Sequence, residues 1–370
     1  MPREVAVVFG TRPEATKLAP LHLCLDEAAG WEPTLVYTGQ HGSHVYDALE
    51  PFDLKPDLTF ELDRDGGLLV ELNARLLAML GPVLDPDRFD AVIVQGDTAT
   101  TLAAALVAYW NRIPIVHLEA GLRTGDLYAP WPEEGNRRLV SPLADLHLAP
   151  TDAARANLLR EDVSDDRVAV VGNTSIDAVL HTAAQSHRFD SIVPSGYRRH
   201  VLVTAHRRES WGAGIRAIGD AVGRLSVDNP DTAFLVAVHP NPAVRADLTA
   251  GMGVRPNAVC LPPLPYGQFV RAMADAYLVL TDSGGVQEEA PALDVPVLVL
   301  RDVTERPEGV EAGCAELVGT DADHIVAAAQ RLLDDGRRRE LMALAPCPYG
   351  GGRAAQACVA ALEARSAAWA

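Results

Sequence analysis

The sequence predicts an α/β protein built on two parallel sheets, and three observations predict it. Its 370 residues exceed one ordinary core, and at about 150 residues per domain they suggest two. Short β-branched runs alternate with longer Ala- and Leu-rich segments along the chain. Several of the short runs are continuously apolar, the pattern of parallel strands covered by helices on both faces.

In chain order, the first half offers strands at 5–9, 34–37, 91–94, 113–118 and 168–171. The second half offers 201–204, 233–238, 258–261, 277–281, 296–300 and 315–318. A helix over 15–28 follows the first strand, with Pro13 suited to its first turn. The segment 185–200 mixes Ser186, Ser191, Pro194, Ser195 and Gly196 with charges, has no period, and reads as the linker. The expected domains are therefore 1–185 and 186–352, followed by an Ala-rich amphipathic helix over 353–370 that can pack back on the first.

Composition narrows the function. With 48% hydrophobic and 22% charged residues the chain can fill packed cores. Fifty acids against 32 bases give a net charge of -18, which repels polyphosphate backbones and anionic lipid, so nucleic acid and membrane are not expected partners. No apolar stretch approaches the ~20 residues of a membrane span, and 5–9 lacks the length of a signal-peptide core. Five scattered cysteines fit reduced thiols and a cytoplasmic setting.

The loops after the strands carry the chemistry-bearing residues, and each has two readings. Gly10-Thr11-Arg12-Pro13-Glu14 joins the first strand to its helix. Its amides, with Arg12 and Lys17, suit a phosphate, and the alternative is a plain turn with solvated bases. Asp97 and Glu119 each follow a strand, where an open α/β sheet gathers its ligand. There the two carboxylates suit general acid and base work, while helix capping is the rival reading for Asp97. Glu133 with Arg137, and Glu134 with Arg138, stand four apart and are expected to form surface ion pairs.

In the second half, His206 follows a strand, with a structural histidine as its rival reading. Ser283-Gly284-Gly285 opens a helix bearing Glu288 and Glu289, suited to phosphate and sugar hydroxyls or to favourable helix-dipole placement. Arg306 precedes Pro307 after another strand and suits a phosphate clamp. The acid pairs Asp63/Asp65, Asp85/Asp87 and Asp321/Asp323 lie in polar loops or at helix starts, so no metal is assigned.

Together the strings GTRPEA, QGDT, HLEAGLRTGD, PWPEE, HRRES, TDSGGVQEE and RDVTERPE resemble the non-hydrolysing UDP-N-acetylglucosamine 2-epimerases, in order from Gly10 to Glu308. The resemblance implies two Rossmann-like domains with a central cleft, a glycosyltransferase-B-like fold. It also implies reversible conversion of UDP-N-acetylglucosamine to UDP-N-acetylmannosamine through 2-acetamidoglucal, with no cofactor, in a homodimer. By resemblance, Asp97, Glu119 and Glu133 are the acid/base carboxylates, with Arg137 and His206 as partners of the diphosphate and reacting centre. Arg12, Lys17, Phe269, Ser283, Gly284, Glu289 and Arg306 fall on substrate-binding positions, with Phe269 flanking the uracil. Gly42 after Gln40-His41 departs from the basic residue often found there, which leaves activation by a second substrate molecule open. A UDP-sugar glycosyltransferase of the same architecture and a non-catalytic UDP-sugar sensor are the alternatives. An acceptor-dependent product would mark the first, and binding without exchange of the hydrogen on the sugar's second carbon the second.

Overall fold

In a computed structural model, described for residues 2–40, 42, 44–62, 67–207, 210–238 and 241–369, the chain forms two compact units. Unit 1 is Met1–Ala178 with Gly352–Ala370, and unit 2 is Val179–Gly351. His41, Asp63, Asp65, Arg208, Glu209 and His239 lie outside the described residues.

Unit 1 runs β1 (Arg3–Phe9), α1 (Arg12–Glu27), β2 (Trp31–Tyr37), α2 (His44–Leu49), β3 (Leu58–Thr59), α3 (Leu69–Leu80), β4 (Ala91–Gln95) and α4 (Ala99–Trp110). It continues with β5 (Ile115–Leu118), α5 (Glu133–Val140), β6 (Leu146–Ala149), α6 (Asp152–Arg160), β7 (Val168–Val170) and α7 (Thr174–Ala184), whose last turns enter unit 2. The seven strands are parallel in the order β3-β2-β1-β4-β5-β6-β7. The central strands β4, β5 and β6 are buried at every residue, as expected of parallel strands covered on both faces. Each buried Val, Ile or Leu there contributes about 1.5–3 kcal/mol.

Two strands escape the sequence reading. β3 is only two residues long, and β6 (LHLA) has no β-branched residue and a histidine inside its apolar run.

Unit 2 runs β8 (Arg199–Ala205), α8 (Ala213–Asp228), β9 (Thr232–Val238), α9 (Pro242–Met252), β10 (Ala258–Leu261), α10 (Tyr266–Ala274) and β11 (Leu278–Thr281). Then come α11 (Gly284–Glu289), β12 (Val297–Val299), α12 (Pro307–Ala312), β13 (Ala315–Leu317), α13 (Ala322–Asp334) and α14 (Gly336–Ala343). Its sheet is also parallel, in the order β10-β9-β8-β11-β12-β13. The last helix, α15 (Ala354–Ser366), belongs to unit 1. It buries Ala355, Cys358, Val359 and Leu362 and is anchored where Asp177 accepts the N–H groups of Ala354 and Ala355 at 3.1 and 2.9 Å.

In both sheets the strand order reverses beside the first strand, between β1 and β4 and between β8 and β11. At such a reversal the loops leaving the carboxyl ends diverge and open a crevice for ligand. Asp97 follows β4, Asp282 follows β11, and the turns before Arg12 and at His206 follow β1 and β8. Among the described residues no helix is long and apolar enough to cross a membrane.

Candidate active site

The crevice of unit 1 is a pocket lined by Lys17, Gln95, Asp97, Glu119, Glu133 and Arg137, among others. β4 ends at Gln95, and Gly96 turns the chain with φ of 70°, a conformation few side chains tolerate. The Gly96 carbonyl accepts from His117 Nε2 at 2.7 Å. Thr98, not Asp97, caps α4: its Oγ accepts the Thr101 N–H at 3.1 Å. The capping reading of Asp97 therefore fails, and its carboxylate points to the pocket instead.

Arg137 donates to Asp97 Oδ2 from Nε at 2.7 Å and Nη2 at 2.6 Å, and the Asn136 amide holds the Asp97 carbonyl at 2.7 Å. Burial pushes the Asp97 carboxyl above its usual range, Arg137 pulls it back, and the neighbouring Glu119 adds to the rise.

Glu119 sits at φ 62°, left-handed for a side-chain-bearing residue. Such backbone costs about 1–3 kcal/mol and concentrates at functional positions. Its Oε2 takes both the Lys17 ammonium, at 2.5 Å, and the Gln95 amide. Lys17 on α1 thus pairs with an acid of the pocket. Glu133, half-buried on α5, lines the same pocket.

Of the two surface ion pairs expected on α5, Glu134 with Arg138 forms at 3.2 Å, though around a buried carboxylate, while Arg137 pairs with Asp97 and Glu134. Glu134 is fully buried and accepts the N–H groups of Thr124 and Gly125 at 3.2 and 3.4 Å, with Arg137 and Arg138 each 3.2 Å away. Arg137 divides itself between Glu134 and Asp97. Burial raises the Glu134 carboxyl, and the bonds from Thr124, Arg138, Arg137 and Gly125 together bring it below its ordinary value.

In the turn after β1, the amides of Gly10 and Thr11 donate to the Glu14 carboxyl at 3.0 and 2.7 Å. The chain's own acid therefore holds the amides that the sequence offered to a phosphate, and Arg12 projects half-buried from that turn.

In unit 2, fully buried Asp282 accepts the His206 N–H at 2.9 and 2.8 Å and the Arg207 N–H at 2.8 Å, fixing the loop after β8. Ser283 leads into α11, its N–H bonded to Thr281 Oγ at 3.0 Å. A Cβ at Gly284 would stand 3.5 Å from an Arg207 nitrogen and 3.7 Å from one of Arg306, so both guanidinium groups reach that helix start. Arg306 pairs with buried Glu288, while Glu289 is half-buried on the same helix. Phe269 lies on α10, after the edge strand β10.

Of the acid pairs weighed for a cation, the two among the described residues serve a turn and a helix cap. Asp85 accepts the Asp87 N–H at 2.9 Å, and Asp321 caps α13 by accepting the His324 N–H at 3.0 Å. Among the described residues no group of three or more His, Cys, Asp or Glu is placed to hold a metal ion.

A family model described as UDP-N-acetylglucosamine 2-epimerase matches residues 24–363. The chain belongs to the UDP-N-acetylglucosamine 2-epimerase family. The curated UDP-N-acetylglucosamine 2-epimerase of Escherichia coli K12 is 45% identical over 370 residues, 98% of either chain. A crystal structure of UDP-GlcNAc 2-epimerase from Neisseria meningitidis bound to UDP-GlcNAc matches with a TM-score of 0.87 at 39% identity, covering 98% of this chain and all of that one. The 2-epimerase of Methanocaldococcus jannaschii matches with a TM-score of 0.83 at 31% identity, covering 98% and 99%. The two parallel-sheet units are thus those of a 2-epimerase, as the motif strings implied.

Three residues inside these 2-epimerase strings went unread in the sequence. Glu14 had a signal in the spacing Thr11-x-x-Glu14, a capping box. Asp282 and Gln95 had none, since both sit at strand ends where an anchoring role depends on a neighbouring strand.

Proposed function

We propose that this chain interconverts UDP-N-acetylglucosamine and UDP-N-acetylmannosamine by eliminating UDP and adding it back. The observation that carries the reading is one pocket in which, besides the buried Glu14 at its wall, the acids Asp97, Glu119 and Glu133 gather, with Lys17 and Arg137 paired to two of them. In the forward half-reaction a base removes the proton on the sugar's second carbon. That electron pair forms the double bond of 2-acetamidoglucal, and UDP leaves with the pair of the anomeric C–O bond. In the return, a proton arrives on the opposite face and a diphosphate oxygen closes on the anomeric carbon.

Such chemistry requires an ionised base, a protonated acid across the ring and cations for the leaving group. Glu119, held by the Lys17 ammonium, suits the base. Asp97, whose carboxyl burial pushes upward, suits the acid. Glu133 supplies the third carboxylate. Arg12, Arg137, His206 and Arg306 suit the diphosphate, each close charge worth up to ~4 kcal/mol at an effective dielectric near 20. Ser283 and Gly284 suit its oxygens, Glu289 the sugar hydroxyls and Phe269 the uracil face.

Proton NMR of the protein with UDP-N-acetylglucosamine in deuterated water tests this. UDP-N-acetylmannosamine should appear while the hydrogen on the second carbon exchanges out of both sugars. Binding without exchange, or a product formed only with an added acceptor, overturns the proposal.

The homodimer belongs to the same proposal. Tyr109 and Trp110, adjacent at the end of α4, are 57% and 61% exposed, apolar area that a second copy would cover. Sedimentation equilibrium should give twice the chain mass, and a monomer overturns it. A cytoplasmic setting is supported by five free thiols, and cell fractionation that recovers the chain elsewhere overturns it.

A further inference from the structure

The carboxyl of Glu14, on the first turn of α1, is 1% exposed and has no part in the chemistry above. One oxygen accepts the Gly10 and Thr11 amides. The other lies 2.7 Å from the Thr98 hydroxyl and 3.1 Å from that of Thr101. A single side chain thus ties the turn after β1, which carries Arg12, to the turn after β4, which carries Asp97. The turns are also pressed together, since a Cβ at Gly10 would fall 2.2 Å from Thr100 Oγ.

A plain capping box needs only the first pair of bonds. The second oxygen serves a different helix, and the bonds continue from it toward both acids. Thr98 precedes α4 next to Asp97 and caps that helix with the same hydroxyl. The Thr101 hydroxyl bonds the Gln95 carbonyl at 2.6 Å, and the Gln95 amide holds Glu119.

We propose that Glu14 is a positioning residue that fixes Asp97 and Glu119 relative to the Arg12 turn by bridging the two strand ends. The inference rests on the roles given to those acids above. Among the described residues no Lys, Arg or His forms an ion pair with Glu14, and burial pushes its carboxyl up, so the bridge depends on shape more than on charge. Glutamine preserves that shape: its carbonyl accepts the two amides, and its NH2 donates to a Thr98 hydroxyl free to turn.

The test measures kcat, KM and exchange at the second carbon for Glu14→Ala and Glu14→Gln. Misplacing reacting groups by about an ångström costs on the order of 100-fold, so Glu14→Ala should lower kcat about 30-fold or more, with KM within about threefold. Glu14→Gln should stay within about fivefold of the unmodified enzyme, because its hydrogen bonds survive. An alanine variant with kcat within about threefold of the unmodified enzyme, or a glutamine variant as impaired as alanine, overturns the proposal. Should the alanine variant fail to melt cooperatively, Glu14→Asp decides. One methylene shorter, it cannot span both turns, and it should lose about tenfold in kcat, whereas full activity overturns the bridge. Failure of the functional reading is separate, because the unmodified protein would then show no exchange at all.

Discussion

Asp97→Asn should lower turnover roughly 100-fold or more, the usual share of a group that moves a proton in the transition state. The substitution keeps the shape of the side chain and leaves untouched the Asn136 bond to the Asp97 backbone carbonyl and the Thr98 cap. What it removes is the capacity to take up and release a proton, and with it the carboxylate that faces Arg137 at 2.6 and 2.7 Å. Because the side chain stands in the pocket and Thr98 does the capping, the melting temperature should barely move. The loss should therefore appear in kcat, with exchange at the second carbon falling in parallel. Steady-state kinetics with a thermal melt checks both, and turnover within a few-fold of normal removes Asp97 from the chemistry.

Much of this arrangement was legible in the residues. Short β-branched and apolar runs located eleven of the strands, and the acids after β4 and β5 stood out because parallel sheets gather ligands at that edge. β6 was invisible because, unlike β5, it has no β-branched residue to mark it around its histidine, His147, and a buried histidine looks polar until its neighbours are known. The misreadings at the site share one physical cause. Asp97 and Thr98 are both good capping residues, and which of them caps is decided by Arg137, 40 residues away, claiming the aspartate. Likewise the Arg137 pairing followed helical spacing on paper, yet the close partners of this arginine are Glu134 and Asp97. Sequence proximity sets which pairs are possible, and the fold chooses among them by burial.

That same histidine makes the first unit acid-sensitive. His117 and His147 are register partners on β5 and β6, both fully buried, with ring centres 6.4 Å apart. Burial holds His117 down at about 4 and His147 at about 3, and for His147 the neighbouring His117, Arg167 and Arg123 act in the same direction. Unfolded, each imidazole takes up a proton near pH 6.5. As pH falls below 6.5 the unfolded chain therefore binds more protons than the folded sheet, and stability, complete above that point, drains away toward about 4 for His117 and about 3 for His147. For His117 the window corresponds to about 3 kcal/mol at about 1.4 kcal/mol per pH unit. His147→Leu is the discriminating variant, since among the described residues neither ring nitrogen of His147 has a hydrogen-bond partner. The His117 bond to Gly96 is preserved in it. Urea melts should show the variant losing about 2 kcal/mol less than the unmodified protein between about pH 7 and 5. Parallel pH slopes would mean that the pair takes up its protons without opening the sheet. Because His117 holds the carbonyl just before Asp97, activity lost over this range should return on neutralisation only as fast as the first unit refolds. Simple deprotonation of a catalytic base that had taken up a proton in acid would instead be immediate.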